Sequence, residues 1–185
     1  VRRALIVALA LVYFVQMGFS VVWITTLFAL SSLFTMLLEF PTGAVADYDS
    51  RKKSLMISYF LFTVAFLGIY FANSFWVIAA FWVISDIAWT FTTGAGSAWA
   101  IDALGIGKKK SQIVRLISRG YIFERGGLIV GGLIGLVIIA INFRLIWLVS
   151  GIVSLLIFIM IWKYMEERNF TPEKVPHGYL KKSWL

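Results

Sequence analysis

A chain of 185 residues with 61% hydrophobic and 17% aromatic side chains, and only 14% charged ones, is too apolar for a water-soluble domain. It holds 17 Lys and Arg against 9 Asp and Glu, a net charge of +8, and it has no cysteine, so no disulfide framework and no thiolate metal site. Its apolar runs are long enough to cross a hydrocarbon core roughly 30 Å thick as helices, and no period-two alternation suggests a barrel, so the prediction is an all-α polytopic membrane protein.

Polar or glycine-bearing breaks divide the chain into helices at about 4–17, 21–46, 54–72, 76–104, 119–141 and 145–165. Together they predict a six-helix transmembrane bundle over residues 1–165, with 166–185 as the start of a cytoplasmic linker. The first helix is short for a span and the chain opens on Val, so further residues are expected to precede it. Between the first two helices, "QMGFS" carries Gly18 and Ser20, which permit a tight turn.

The second helix ends in "EFPTGAVADYDSRKKS", where Glu39 precedes Phe40 and Pro41. The proline ring removes one hydrogen bond of the helix ladder and frees a carbonyl. Glu39 shares a face with Ser32 and Thr35, and is either a cavity carboxylate or a polar group paired within the kink. In the fourth helix Asp86 lies about 11 residues beyond Phe75, roughly 16 Å into the span and close to the midplane. An ionisable group there costs at least about 2.5–3.5 kcal/mol on insertion scales, so it needs a reason. Thr90, Thr93 and Ser97 follow at i+4, i+7 and i+11 on the same helical face. The four read as the lining of a watery substrate or proton cavity, or as a hydrogen-bonded seam between helices.

In the fifth helix, Glu124 and Arg125 lie near the inner end and read as a snorkelling local ion pair. Beyond them "GGLIVGGLIG" sets Gly127, Gly131 and Gly135 along one ridge, with Gly132 beside it, which predicts a close-packing helix face.

Threading the spans alternately puts every Lys and Arg except Arg144 on one side. Positive loops stay in the cytoplasm, so both termini are expected there. The charge then calls for no nucleic acid, and anionic lipid is the expected neighbour of Lys108, Lys109 and Lys110. Trp23, Trp76 and Trp147 fall at helix starts on the outer side and Trp99 and Trp162 near inner ends, which reads as two lipid-anchoring belts. "LGIGKKKS" follows an apolar helix and lacks the first glycine of a P-loop. The "NFT" sequon at 169–171 and the solitary His177 fall in the polar tail, the sequon unmodified on this topology and the histidine simply solvated. No carboxylate pair, His cluster or Ser-His arrangement points to an enzyme, a metal or a cofactor.

"PTGAVADYDSRKK" resembles the loop between helices two and three in the N-terminal half of major facilitator superfamily transporters, whose signature is G-x-x-x-D-R/K-x-G-R/K-R/K. Gly43, Asp47, Arg51 and Lys52 match; Tyr48 and Ser50 depart from it. "GAGSAWAIDAL" at 94–104 is similar to the small-residue inner end of the family's fourth helix. The resemblance implies a gate in which Asp47 caps a helix of the other half, Arg51 orients and neutralises Asp47, and Asp102 is a third member of the cluster. Gly127, Gly131 and Gly132 are also similar to the G-P-x-x-G-G motif of the drug/proton antiporters, with Leu128 in the proline's place. The family implies a secondary active transporter of a small solute, working by alternating access in the plasma membrane, with proton-coupled efflux as one form. A C-terminal six-helix half would then follow in the same chain. A six-helix scaffold or sensor that moves nothing, and a half-size transporter acting as a homodimer, are the alternatives. The substrate and coupling ion do not follow from the fold.

Overall fold

Between its polar breaks the chain is helical throughout the computed structural model, which describes residues 2–105 and 110–167. The helices are α1 (Arg2–Gln16), α2 (Val21–Ala44), α3 (Arg51–Phe71), α4 (Phe75–Thr92), α5 (Ala95–Ala103), α6 (Lys110–Ile141) and α7 (Leu145–Tyr164). Among the described residues, five segments are long and apolar enough to cross a membrane: Val21–Asp49, Arg51–Phe71, Phe75–Ala103, Lys110–Ile141 and Leu145–Tyr164. Lys108, Lys109, His177, the sequon and nearly all of the expected linker lie outside the described residues.

Three boundaries differ from the sequence-based expectation, each for a local reason. α2 runs straight through Pro41 and ends in a π-helical turn, Val45–Asp49, which closes with the Ser50 amide on the Val45 carbonyl at 3.1 Å. Pro41 has no N–H to give the Leu37 carbonyl, and one residue on the Thr42 hydroxyl donates to the Leu38 carbonyl at 2.7 Å. The expected fourth helix is broken: Gly94 takes a φ of +80° that ordinary side chains avoid, separating α4 from α5. α6 begins at Lys110, well before the expected 119, because "KSQIVRLISRG" continues as helix into the polar region.

α3 is the centre of the packing, set against α7 on one side and α4 on the other, while α2 lies on α4. Without a hydrophobic drive between helices in lipid, such contacts rest on close approach and interhelical hydrogen bonds. Ser54 and Ser58, one turn apart on α3 and fully buried, donate to the carbonyls of Phe91 and Ala88 on α4 at 2.8 and 2.6 Å. Close approach occurs at two glycines. A Cβ on Gly68 would sit 2.4 Å from the Phe81 ring, and one on Gly151 would sit 2.7 Å from the Leu67 side chain and 3.3 Å from its backbone nitrogen.

The glycine ridge of α6 has no such neighbour. A Cβ on Gly127, Gly131 or Gly132 meets nothing within 4 Å, and only Gly135 touches a partner, Ile146 at 3.6 Å. Gly151→Ala is therefore expected to lower stability by about 1–3 kcal/mol through overpacking. Gly132→Ala is expected to leave stability unchanged or raise it by up to about 1 kcal/mol, since alanine is the better helix former. Thermal unfolding in detergent checks this contrast. A larger loss at Gly132 than at Gly151 would move the close-packed face to α6.

The core lies in one half of the bundle, around Phe14, Ile24, Ile69, Ile78, Trp82 and Trp147. Trp147 is a correction to the belt reading, because it is 5% exposed, stacked on Phe14 and set edge-on to Tyr13 and Trp82. Trp23 and Trp76 do stand exposed at that end, in edge-to-face contact at 5.8 Å, and Trp162 is exposed at the other. A second, smaller cluster at that other end joins Ala46, Leu55, Ala95 and Met165.

Candidate functional site

The signature loop folds around a single extended residue. Ser50, with φ −168° and ψ 127°, caps α3 by accepting the Lys53 amide on its side-chain oxygen at 2.9 Å. That conformation suits any residue, which explains how serine replaces the second glycine of the signature. The Glu167 carboxylate, just past α7, accepts from the Lys52 amide at 2.9 Å and from the Ser50 hydroxyl at 3.0 Å. A carboxylate at the first turn of a helix also meets the positive end of its dipole. Lys52 reaches back to the Trp162 carbonyl at 3.0 Å, and the Trp99 indole donates to the Glu166 carbonyl at 2.9 Å. These contacts tie α3, α5 and α7 together at one end.

Arg51 forms an ion pair with Asp102 of α5, and both groups are largely covered. The expected pairing of Arg51 with Asp47 is therefore corrected. Asp47 sits in the π turn, is exposed, and makes no hydrogen bond or ion pair among the described residues. Ser50, extended between the π turn and α3, breaks the helical register between residues 47 and 51, and Arg51 reaches across to α5. Lys53 pairs with Asp49 at 2.8 Å, but both are more than half exposed, so water screens the pair and it contributes little. Gly43 lies two residues before the turn with open space around its α-carbon.

Asp86 is buried in α4 and accepts a hydrogen bond from the Ser31 hydroxyl of α2. Beside it lies a cavity of about 30 Å³ between Phe62, Phe66, Trp82 and Trp89, room for about two waters. The expected polar stripe is only partly assembled. Thr90 is buried with Asp86 on α4, but its hydroxyl donates to the Ile87 carbonyl at 2.7 Å. Thr93 caps α4, is exposed and bonds the Trp89 carbonyl at 3.3 Å. Ser97 lies beyond the Gly94 break, on α5, and opens to a different recess. Glu39 is exposed on α2 with no side-chain partner among the described residues, so it is neither paired in the kink nor joined to Asp86.

Three contributors escape a sequence reading. Ser31 is one of two adjacent serines in α2, and nothing in its spacing singles out the partner across the bundle. Glu167 reads as ordinary tail charge, although an acid just past a helix opposite a positive loop is a usable signal. Arg144, at the opposite end, donates to the Ala72 carbonyl and, at 2.7 Å, to the Asn73 side chain, contacts that its position in the sequence does not announce, and lies 5.9 Å from the Tyr70 ring centre. It clamps the start of α7 to the end of α3.

The geometry thus pairs a charged, cross-linked end with a buried carboxylate in the middle of a membrane bundle. Comparison with curated proteins and with solved structures gives no match. The profile of the Major Facilitator Superfamily matches residues 1–184, nearly the whole chain. The chain therefore belongs to the major facilitator superfamily, whose members are membrane-embedded transporters and not enzymes.

Proposed function

We propose that the chain forms the N-terminal half of a secondary active transporter that moves a small solute by alternating access, with its charged end as the cytoplasmic gate. The observation that carries this reading is the Arg51–Asp102 ion pair beside an exposed Asp47. The ion pair and the Glu167 cap stiffen this half, while Asp47 is left to meet a second six-helix half of the same chain. Rocking the halves apart would break only the contacts of Asp47, which suits a latch that opens in every cycle. Asp86, held between α2 and α4, is the group proposed to take up a proton or the charged part of a solute.

Orientation follows from the charges. Arg51, Lys52, Lys53 and Lys110 belong on the cytoplasmic side, and the Asn73–Arg144 contact on the outer side. Because the native chain has no cysteine, single cysteines report side without ambiguity. An impermeant maleimide added to intact cells should label a cysteine at Asn73 and not one at Ser111. Labelling of Ser111 from outside would overturn the gate assignment.

A further inference from the structure

α5 and α6 enclose a recess of about 430 Å³, within the ordinary range of small-molecule sites of roughly 300–1,000 Å³. Glu124 and Tyr121 line it from α6 and Ser97 from α5, with Ile117 among its apolar walls. Gly96 and Gly120 widen it, since a Cβ at either would meet nothing within 4 Å.

Glu124 does not form the local pair with Arg125 that the sequence suggests. Successive helical residues point in different directions, so Arg125 is exposed and the half-buried Glu124 lines the recess. No hydrogen bond or ion pair engages the Glu124 carboxylate among the described residues. It lies roughly 17 residues, or about 26 Å, from the Ile141 end of α6, which sets it near the inner boundary of a core about 30 Å thick.

Among the described residues Glu124 is the one charged group lining the recess, so the lining presents a negative charge that favours a cation. The Tyr121 ring offers a face for a cation, and the Ser97 hydroxyl, already donating to the Gly94 carbonyl at 3.0 Å, keeps its oxygen lone pairs to face the positive charge. The Asp86 cavity of about 30 Å³ has no room for such a guest. We propose that the α5–α6 recess binds a substituted ammonium group carried on an apolar body, with Glu124 as its counter-ion. A free organic cation and an amine-bearing lipid headgroup share this chemistry.

The test uses the full chain in nanodiscs of phosphatidylglycerol, which carries no amine. Trimethylphenylammonium is the probe, and the uncharged isostere tert-butylbenzene is the control, with binding measured by calorimetry. Glu124→Gln should weaken the cation at least tenfold and leave the isostere unchanged, which also shows that the variant is folded. Gly120→Leu, which fills the recess, should weaken both. Phosphatidylethanolamine added to the discs will either compete, assigning the site to lipid headgroups, or not compete, assigning it to free cations; both outcomes support an ammonium site. Equal affinity of the cation for wild type and Glu124→Gln, or no binding to wild type, overturns the proposal. Binding at equilibrium does not depend on the gate, so failure of the transport reading would leave this result standing.

Discussion

Asp86→Asn is expected to abolish coupled transport while changing stability by no more than about 1–2 kcal/mol. The amide keeps the shape of the carboxylate and can still accept the Ser31 hydroxyl, so the contact between α2 and α4 survives. What disappears is the charge, and with it the ability to take up and release a proton beside the small Asp86 cavity. A charge-assisted hydrogen bond contributes about 1.5–3 kcal/mol against about 0.5–1.5 for a neutral one, which bounds the expected loss. Transport of a solute moved by the wild type, compared with thermal unfolding of the same preparations, separates the two effects. Normal coupled transport with lowered stability would make the Ser31–Asp86 contact a structural seam and nothing more.

Arg51→Ala is expected to lower turnover by roughly 10- to 100-fold, because it removes the cation of a partly buried ion pair with Asp102. The partner matters. A double-mutant cycle between Arg51 and Asp102 should show strong coupling in stability, about 1–3 kcal/mol, whereas Arg51 and Asp47 should add independently. Lys53→Ala should do little, since the Lys53–Asp49 pair is exposed. Coupling between Arg51 and Asp47 comparable to that between Arg51 and Asp102 would restore the local pairing that the signature spacing alone suggests.

Much of the fold was legible because a bilayer leaves few options: long apolar runs have to be helices, and the breaks at "QMGFS" and "ANS" fall where the chain turns. The end-to-end sorting of charge was equally legible, and the structure gathers Arg51, Lys52 and Asp102 at one end and Arg144 at the other. What escaped depends on contacts between residues distant in sequence. Gly94 breaks a helix through its own φ, whereas the glycines of α6 sit in regular helix, and sequence alone does not separate the two cases. Gly68 and Gly151, the glycines that let helices touch, are isolated in the sequence, while the repeated ridge that drew attention lies open. Trp147 sits at a helix start like Trp76, yet one is buried and the other exposed, because only the first faces α1 and α4. The Arg51–Asp102 pair was hidden behind the acid nearer in sequence, Asp47, because the extended Ser50 between them is not legible from spacing.

The most direct test of the gate measures how readily a single cysteine at Ser97, on the exposed face of α5, reacts with an impermeant maleimide applied from the cytoplasmic side of inverted vesicles. If Asp47 latches this half to a second one, Asp47→Asn shifts the population toward the cytoplasm-open state and raises the labelling rate several-fold, while Lys53→Ala leaves it at the wild-type value. An unchanged rate in Asp47→Asn, or an equal rise in Lys53→Ala, would contradict the gate and reduce the charged end to an orientation signal.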